Sequence, residues 1–180
     1  MASKIKVDQI QTADGTGTIA LQNQLSGMTS ASMPTGSVLQ VVQVTGSTGS
    51  TTTSTTVIPV GDAGTITPSS TSSKILVTIT GTVRFGNNNA GVLAIYKDVA
   101  GGGYSELQSF SRHTTYQSHS TGNHEQGQFV SMSYLDSPNT TSACSYRAAI
   151  NSWTAGQTAY WLPNPSHQDQ TTIIMMEIAG

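Results

Sequence analysis

Apolar and polar residues alternate along this chain in short bursts. The plainest lies at 74–85, where Ile75, Val77 and Ile79 alternate with Leu76, Thr78 and Thr80. Successive strand side chains point to opposite faces, so this run is a predicted strand with one buried face. Comparable β-type runs occupy 38–44, 55–60, 92–97, 105–110, 129–135, 143–150, 158–162 and 171–178. Gly, Pro, Asn and Ser/Thr clusters separate them, and no segment longer than a turn or two keeps a helical period. Eight or nine such strands predict an all-β fold, an antiparallel two-sheet sandwich of jelly-roll type. The last run is apolar on both alternating faces. Ile173 and Met175 can therefore enter a core while Ile174, Met176 and Ile178 meet a neighbouring chain, which makes these three the predicted oligomer interface. Two connections look long: 46–54, nearly all Gly, Ser and Thr, and 111–128, which carries three histidines.

The first 33 residues follow a different pattern. Residues 4–10 alternate at period two, Ala13 to Gly17 supply turn chemistry, and 18–21 resume the alternation, which predicts a β-hairpin or extended arm. Its apolar set, Ile5, Val7, Ile10, Ile19 and Leu21, is too small for a core of its own. The arm is therefore expected to lie against another chain, with the stretch from Ser26 to Gly36 as linker. The predicted organisation is an arm and linker at 1–33 and a sandwich head at 34–180.

Composition sharpens this picture. Charged residues make up only 9% of the 180, so polarity comes from uncharged side chains, while recurring Val, Ile, Tyr and Trp clusters argue against disorder. With a net charge of −2 and no basic cluster, nucleic acid is not an expected partner. No apolar run is long enough to cross a membrane as a helix, and charges interrupt the amino terminus, so neither membrane insertion nor a signal peptide is expected. The single cysteine, Cys144, allows no intrachain disulfide and reads as a small buried apolar residue. A disulfide-free framework of low charge with an apolar terminal strand predicts a homo-oligomer.

No residue set fits a catalytic or metal-binding pattern. His113, His119 and His124 fall in one loop at spacings of six and five, which match no zinc motif. They read as exposed polar residues, with an ion on an oligomer axis as the alternative; His167 reads as a turn residue. No Gly-x-Ser-x-Gly elbow is present. Asp98, Glu106, Glu125 and Asp136 are glycosidase candidates by elimination only, and Gly101 to Gly103 read as a hairpin turn. Tyr104, Tyr116, Trp153 and Trp161 could stack on sugar faces or pack in the core. Loops commonly carry recognition, so Tyr116, His113, His119 and His124 are the candidate receptor-facing residues. The expectation is no enzyme, no metal and no cofactor.

Three segments carry a resemblance. Ser3 to Gln11, followed by Asp14 to Ile19 and Asn23 to Gly27, together with Ile66 to Val77 and the carboxyl-terminal Thr171 to Gly180, resemble virion appendage and tail-fibre-like proteins of tailed bacteriophages, especially those infecting aquatic bacteria. The resemblance implies a homotrimeric jelly-roll head on an N-terminal virion-attachment segment, carried on the virion and assembled in the host cytoplasm. Implied partners are other copies of itself, other virion proteins (tail, portal or adaptor, or major capsid protein) and a host surface glycan or protein. The collagen-like or helical shaft of long fibres is missing, so a short fibre or fibre head and a capsid decoration protein both remain open. A carbohydrate-active tailspike enzyme is the distant alternative.

Overall fold

The computed structural model describes residues 33–86, 89–110, 127–162 and 169–180. Among them are ten strands and no helix: β1 (Val38–Gly46), β2 (Ser50–Thr52), β3 (Ile58–Ile66), β4 (Lys74–Phe85), β5 (Leu93–Val99), β6 (Ser105–Ser109), β7 (Gln128–Asp136), β8 (Cys144–Ile150), β9 (Ala159–Trp161) and β10 (Thr171–Ile178). The arm residues Ile5, Val7, Ile10, Ile19 and Leu21 lie outside the described residues, as do His113, Tyr116, His119, His124 and Glu125 of the long loop and His167.

The strands form two antiparallel sheets. One runs β1-β10-β4-β7, and the other β3-β8-β5-β6. In chain order the strands pass between the sheets in the jelly-roll manner, leaving only β5 and β6 as consecutive neighbours in one sheet, apart from the short extensions β2 and β9. β4 organises the first sheet. It pairs with β7 from Ile75 to Val83 along one edge, and on the other edge meets β10 over Lys74 to Thr80 and then β9 over Val83 to Phe85. β9 and β10 therefore lie end to end, and β2 pairs β9 as β1 pairs β10.

Strict alternation sends every second residue inward. Ile75, Val77, Ile79 and Val83 of β4 are buried, as are Ile173 and Met175 of β10 and Ile95, Tyr146 and Ile150 of the opposite sheet. Each such aliphatic side chain contributes roughly 1.5–3 kcal/mol of transfer free energy. The core closes around Trp161, which is fully buried and donates its indole N–H to Thr171 Oγ1 at 2.8 Å. Two glycines make room for it: a Cβ on Gly81 would stand 2.5 Å from Trp161 Cζ2, and one on Gly61 2.6 Å from Nε1.

Two expectations need correction. The segment 46–54 is not a continuous loop, because Ser50 to Thr52 form β2 and Thr52 is buried. Its uncharged β-branched residues can pair with β9 without any apolar alternation that would announce a strand. The strand expected at 55–60 begins later and runs to Ile66. Hydroxyls hold the preceding stretch in tight turns, with Ser54 N bonded to Thr52 Oγ1 and Thr56 N to Ser54 Oγ. Pro59, Gly61 and Gly64, which punctuate a sequence, all sit inside the strand, and its register is irregular between Pro59 and Ala63.

Candidate functional site

The two sheets present outer faces of opposite character. On the β3-β8-β5-β6 face, Ser145 and Arg147 of β8 stand beside Thr65 and Ala63 of β3 and beside Asp98 and Tyr96 of β5, with Glu106 of β6 next to Tyr96. Charges and hydroxyls here engage one another. Arg147 donates to the carbonyl oxygens of Val60 and Gly61 and lies over the Tyr104 ring at 5.2 Å, while the Tyr104 hydroxyl meets Ser145 Oγ at 2.9 Å. Partial burial, with Glu106 nearby, raises the Tyr96 hydroxyl above its ordinary pKa.

The outer face of β1-β10-β4-β7 is apolar at one end and uncharged through its middle. Register places Val41, Met176, Leu76 and Leu135 side by side in one row across all four strands. Val38, Ile178 and Lys74 form the row beyond it, while Gln43, Ile174, Thr78 and Ser133, then Thr45, Thr172, Thr80 and Ser131, continue the face. Three of its hydroxyls bond within the sheet: Thr78 Oγ1 meets Ser133 Oγ at 3.1 Å, and Thr80 Oγ1 donates to the Thr172 carbonyl oxygen at 3.4 Å. Farther along, Phe129 neighbours Thr82, and Arg84 places its guanidinium 4.0 Å from the centre of the Tyr160 ring. The structure thus puts Ile174, Met176 and Ile178 together on this outer face, half-buried by neighbouring strands, and sends Ile173 and Met175 into the core.

Of the five exposed large hydrophobic residues among the described ones, four are on this face: Val38 at 52%, Val41 at 57%, Leu135 at 45% and Phe129 at 72% relative exposure. Scattered surface apolar residues need no explanation, but a contiguous row marks an interaction surface. Sequence pattern identified the β10 members from their double-sided apolar character. It missed Val38, Val41, Leu76, Leu135 and Phe129, whose outward direction depends on the register of strands far apart in sequence.

Two buried polar centres shape the head. Asp136 of β7 accepts both oxygens' bonds from Lys97 of β5, at 2.9 and 3.1 Å, and a third from the Tyr146 hydroxyl of β8 at 2.7 Å, so it staples one sheet to the other. Burial, reinforced by hydrogen bonding to Asp136 and by its charge, pushes the Tyr146 hydroxyl far above its ordinary pKa, keeping it a donor. Burial likewise raises the adjacent Cys144 thiol, although Lys97 opposes the shift, so Cys144 is an inert buried residue. The second centre is Glu177, 1% exposed on β10. It accepts bonds from Gln40 Nε2 at 2.6 Å and from Ser69 N and Ser69 Oγ at 2.7 Å each. Burial works to raise its carboxyl, but these bonds outweigh burial and hold it below the ordinary value. Beside it lies a pocket of about 330 Å³ lined by Leu39, Ser69, Ser70, Ser72, Ser73 and neighbouring terminal residues.

Of the catalytic candidates, Glu125 lies outside the described residues, and Asp136 is set apart from Asp98 and Glu106. Asp136 is held in the staple, whereas Asp98, which accepts a bond from Gly103 N at 3.0 Å, and Glu106 belong to the opposite outer face. Trp161 is core, whereas Trp153 is 53% exposed beyond β8. Among the described residues no group of three or more His, Cys, Asp or Glu is placed to hold a metal ion.

No family model and no curated protein matches the chain. Among solved structures it is similar to the VP2 subviral particle of infectious bursal disease virus, at 11% identity and a TM-score of 0.34, over 78% of this chain and 38% of that one. The chain thus spans well under half the length of the chain it matches.

Proposed function

We propose that this chain is a non-enzymatic structural protein of a tailed-bacteriophage particle, a homotrimeric short fibre or fibre head that attaches through residues 1–33 and takes part in host-surface recognition. The observation that carries the self-association is the outer face of β1-β10-β4-β7, where exposed apolar residues gather on one side of a molecule whose other sheet is covered by engaged charges. The viral assignment rests on the resemblance of the arm, the segment from Ile66 to Val77 and the carboxyl-terminal strand to virion appendage proteins. Function then comes from number: several weak contacts on one rigid head, repeated around a particle, gain avidity without a tight individual site. The arm serves as the joint, an apolar strand pair that gains stability by adding to a sheet or groove of another virion protein.

Immunogold labelling of intact particles with antibody raised against the head tests this. Gold on the tail is the expected result; gold spread over the capsid would make the chain a decoration protein instead. Unlabelled particles from a lysate rich in the protein would contradict both, and release of reducing ends from host polysaccharide by the purified chain would identify an enzyme.

A further inference from the structure

Resting on the homotrimer reading, we infer that the outer face of β1-β10-β4-β7 is one wall of a three-sided axial core, in which the β1 edge of each copy packs against the β7 edge of the next. Width is the first argument. Four strands spaced about 4.8 Å apart make a wall roughly 19 Å wide, and three such walls enclose an axis about 5.5 Å from each, close to half the ~10 Å separation of packed sheets. Side chains of ordinary size then fill the centre without a channel.

The distribution of exposure is the second argument. When two faces pack flat against each other, the driest and most apolar part belongs at the centre and the rim is polar. Here the rim is not polar, because large apolar residues reach both outer strands of the face. The most exposed large apolar residues stand on the two outer strands, Val38 and Val41 on β1 and Leu135 and Phe129 on β7, whereas Met176 and Leu76 between them are half-buried by their neighbours. A head-to-tail contact that joins one edge to the opposite edge of the next copy, closing after three, brings Val41 against Leu135, while Phe129 lies one row beyond the end of β1. Val41 and Leu135 belong to the same cross-strand row, so they meet at one height, and the row becomes an apolar ring with Met176 and Leu76 nearest the axis.

Charge is the third argument. Among the described residues of this face the formal charges are Lys74 and Arg84, at opposite ends of β4. The rows between them carry Thr, Ser and Gln, so copies brought together there bury no ionised group.

The test uses the full chain with Val41→Cys and Leu135→Cys together, treated with a short bis-maleimide; native Cys144 is buried and does not compete. Covalent trimers are expected from the double variant and only unlinked chains from either single variant. Linkage that stops at dimers, or dimers formed by a single variant, would overturn the three-sided arrangement. Trimers by light scattering that never cross-link would overturn the assignment of the face while leaving the homotrimer intact. A monomeric wild-type chain would overturn the homotrimer itself. Leu135→Lys provides the second arm: it is expected to abolish trimers with circular dichroism unchanged, whereas a trimeric L135K chain would again place the contact elsewhere.

Discussion

Glu177 shows how much one side chain can hold in place. It reaches back across 137 residues to Gln40 and across 108 to Ser69, fixing the loop before β4 onto β1 and β10. A charge-assisted hydrogen bond contributes about 1.5–3 kcal/mol, so Glu177→Gln is expected to lower stability by about 2 kcal/mol at neutral pH. Because the folded carboxyl is held below its ordinary value of 4.5, its contribution is complete above that pH and is lost as pH falls through the folded value. The gap between wild type and E177Q in urea denaturation should therefore be full at pH 7 and narrow progressively as the pH is taken well below 4.5; a gap that stays constant would show that the charge is not responsible. None of this was legible in the sequence, where Glu177 is simply a carboxylate near the end of an apolar strand. Trp161 presents the same limit. Gly81 falls inside the expected run 74–85 and Gly61 just after 55–60, and only the fold shows both as the space into which the indole fits.

Strands were legible where packing follows local alternation. β4, β7, β8 and β10 start and stop within a residue or two of the expected runs, because one buried face imposes period two on the sequence. β2 and the second half of β3 were not, since their pairing depends on distant partners in β9 and β8 instead of their own apolar content. The site divides in the same way. Ile174, Met176 and Ile178 could be identified within a single strand, while the row that joins them to Val41, Leu76 and Leu135 exists only in the register. At this scale the staple between the sheets makes its own prediction. Asp136→Asn leaves Lys97 without its counter-charge in a site only 18% exposed at the lysine, and removing one partner of a buried pair costs up to 3–5 kcal/mol, so a loss of about 2–4 kcal/mol is expected here. Replacing the group by apolar residues together, with Lys97→Met, Asp136→Leu and Tyr146→Phe, should recover stability to within about 1 kcal/mol of wild type. Denaturant midpoints measure both, and a triple variant no better than D136N would show that the staple does more than neutralise itself.

Among the described residues the outer face of β3-β8-β5-β6 carries engaged charges, while the exposed large apolar residues gather mainly on the outer face of β1-β10-β4-β7. A domain of this size can bury a core of its own, and the sandwich does so, yet the outer face of β1-β10-β4-β7 keeps an apolar end that the described residues leave exposed. That surface is what supports the proposed self-association. Recognition and attachment, as proposed, then depend on copies held rigidly together and not on a pocket built for one ligand. The direct measurement is the mass of the purified full chain by light scattering across a micromolar dilution series. Three times the 18.8 kDa of the chain, unchanged on dilution, is the predicted result; a monodisperse, stable monomer throughout would contradict it.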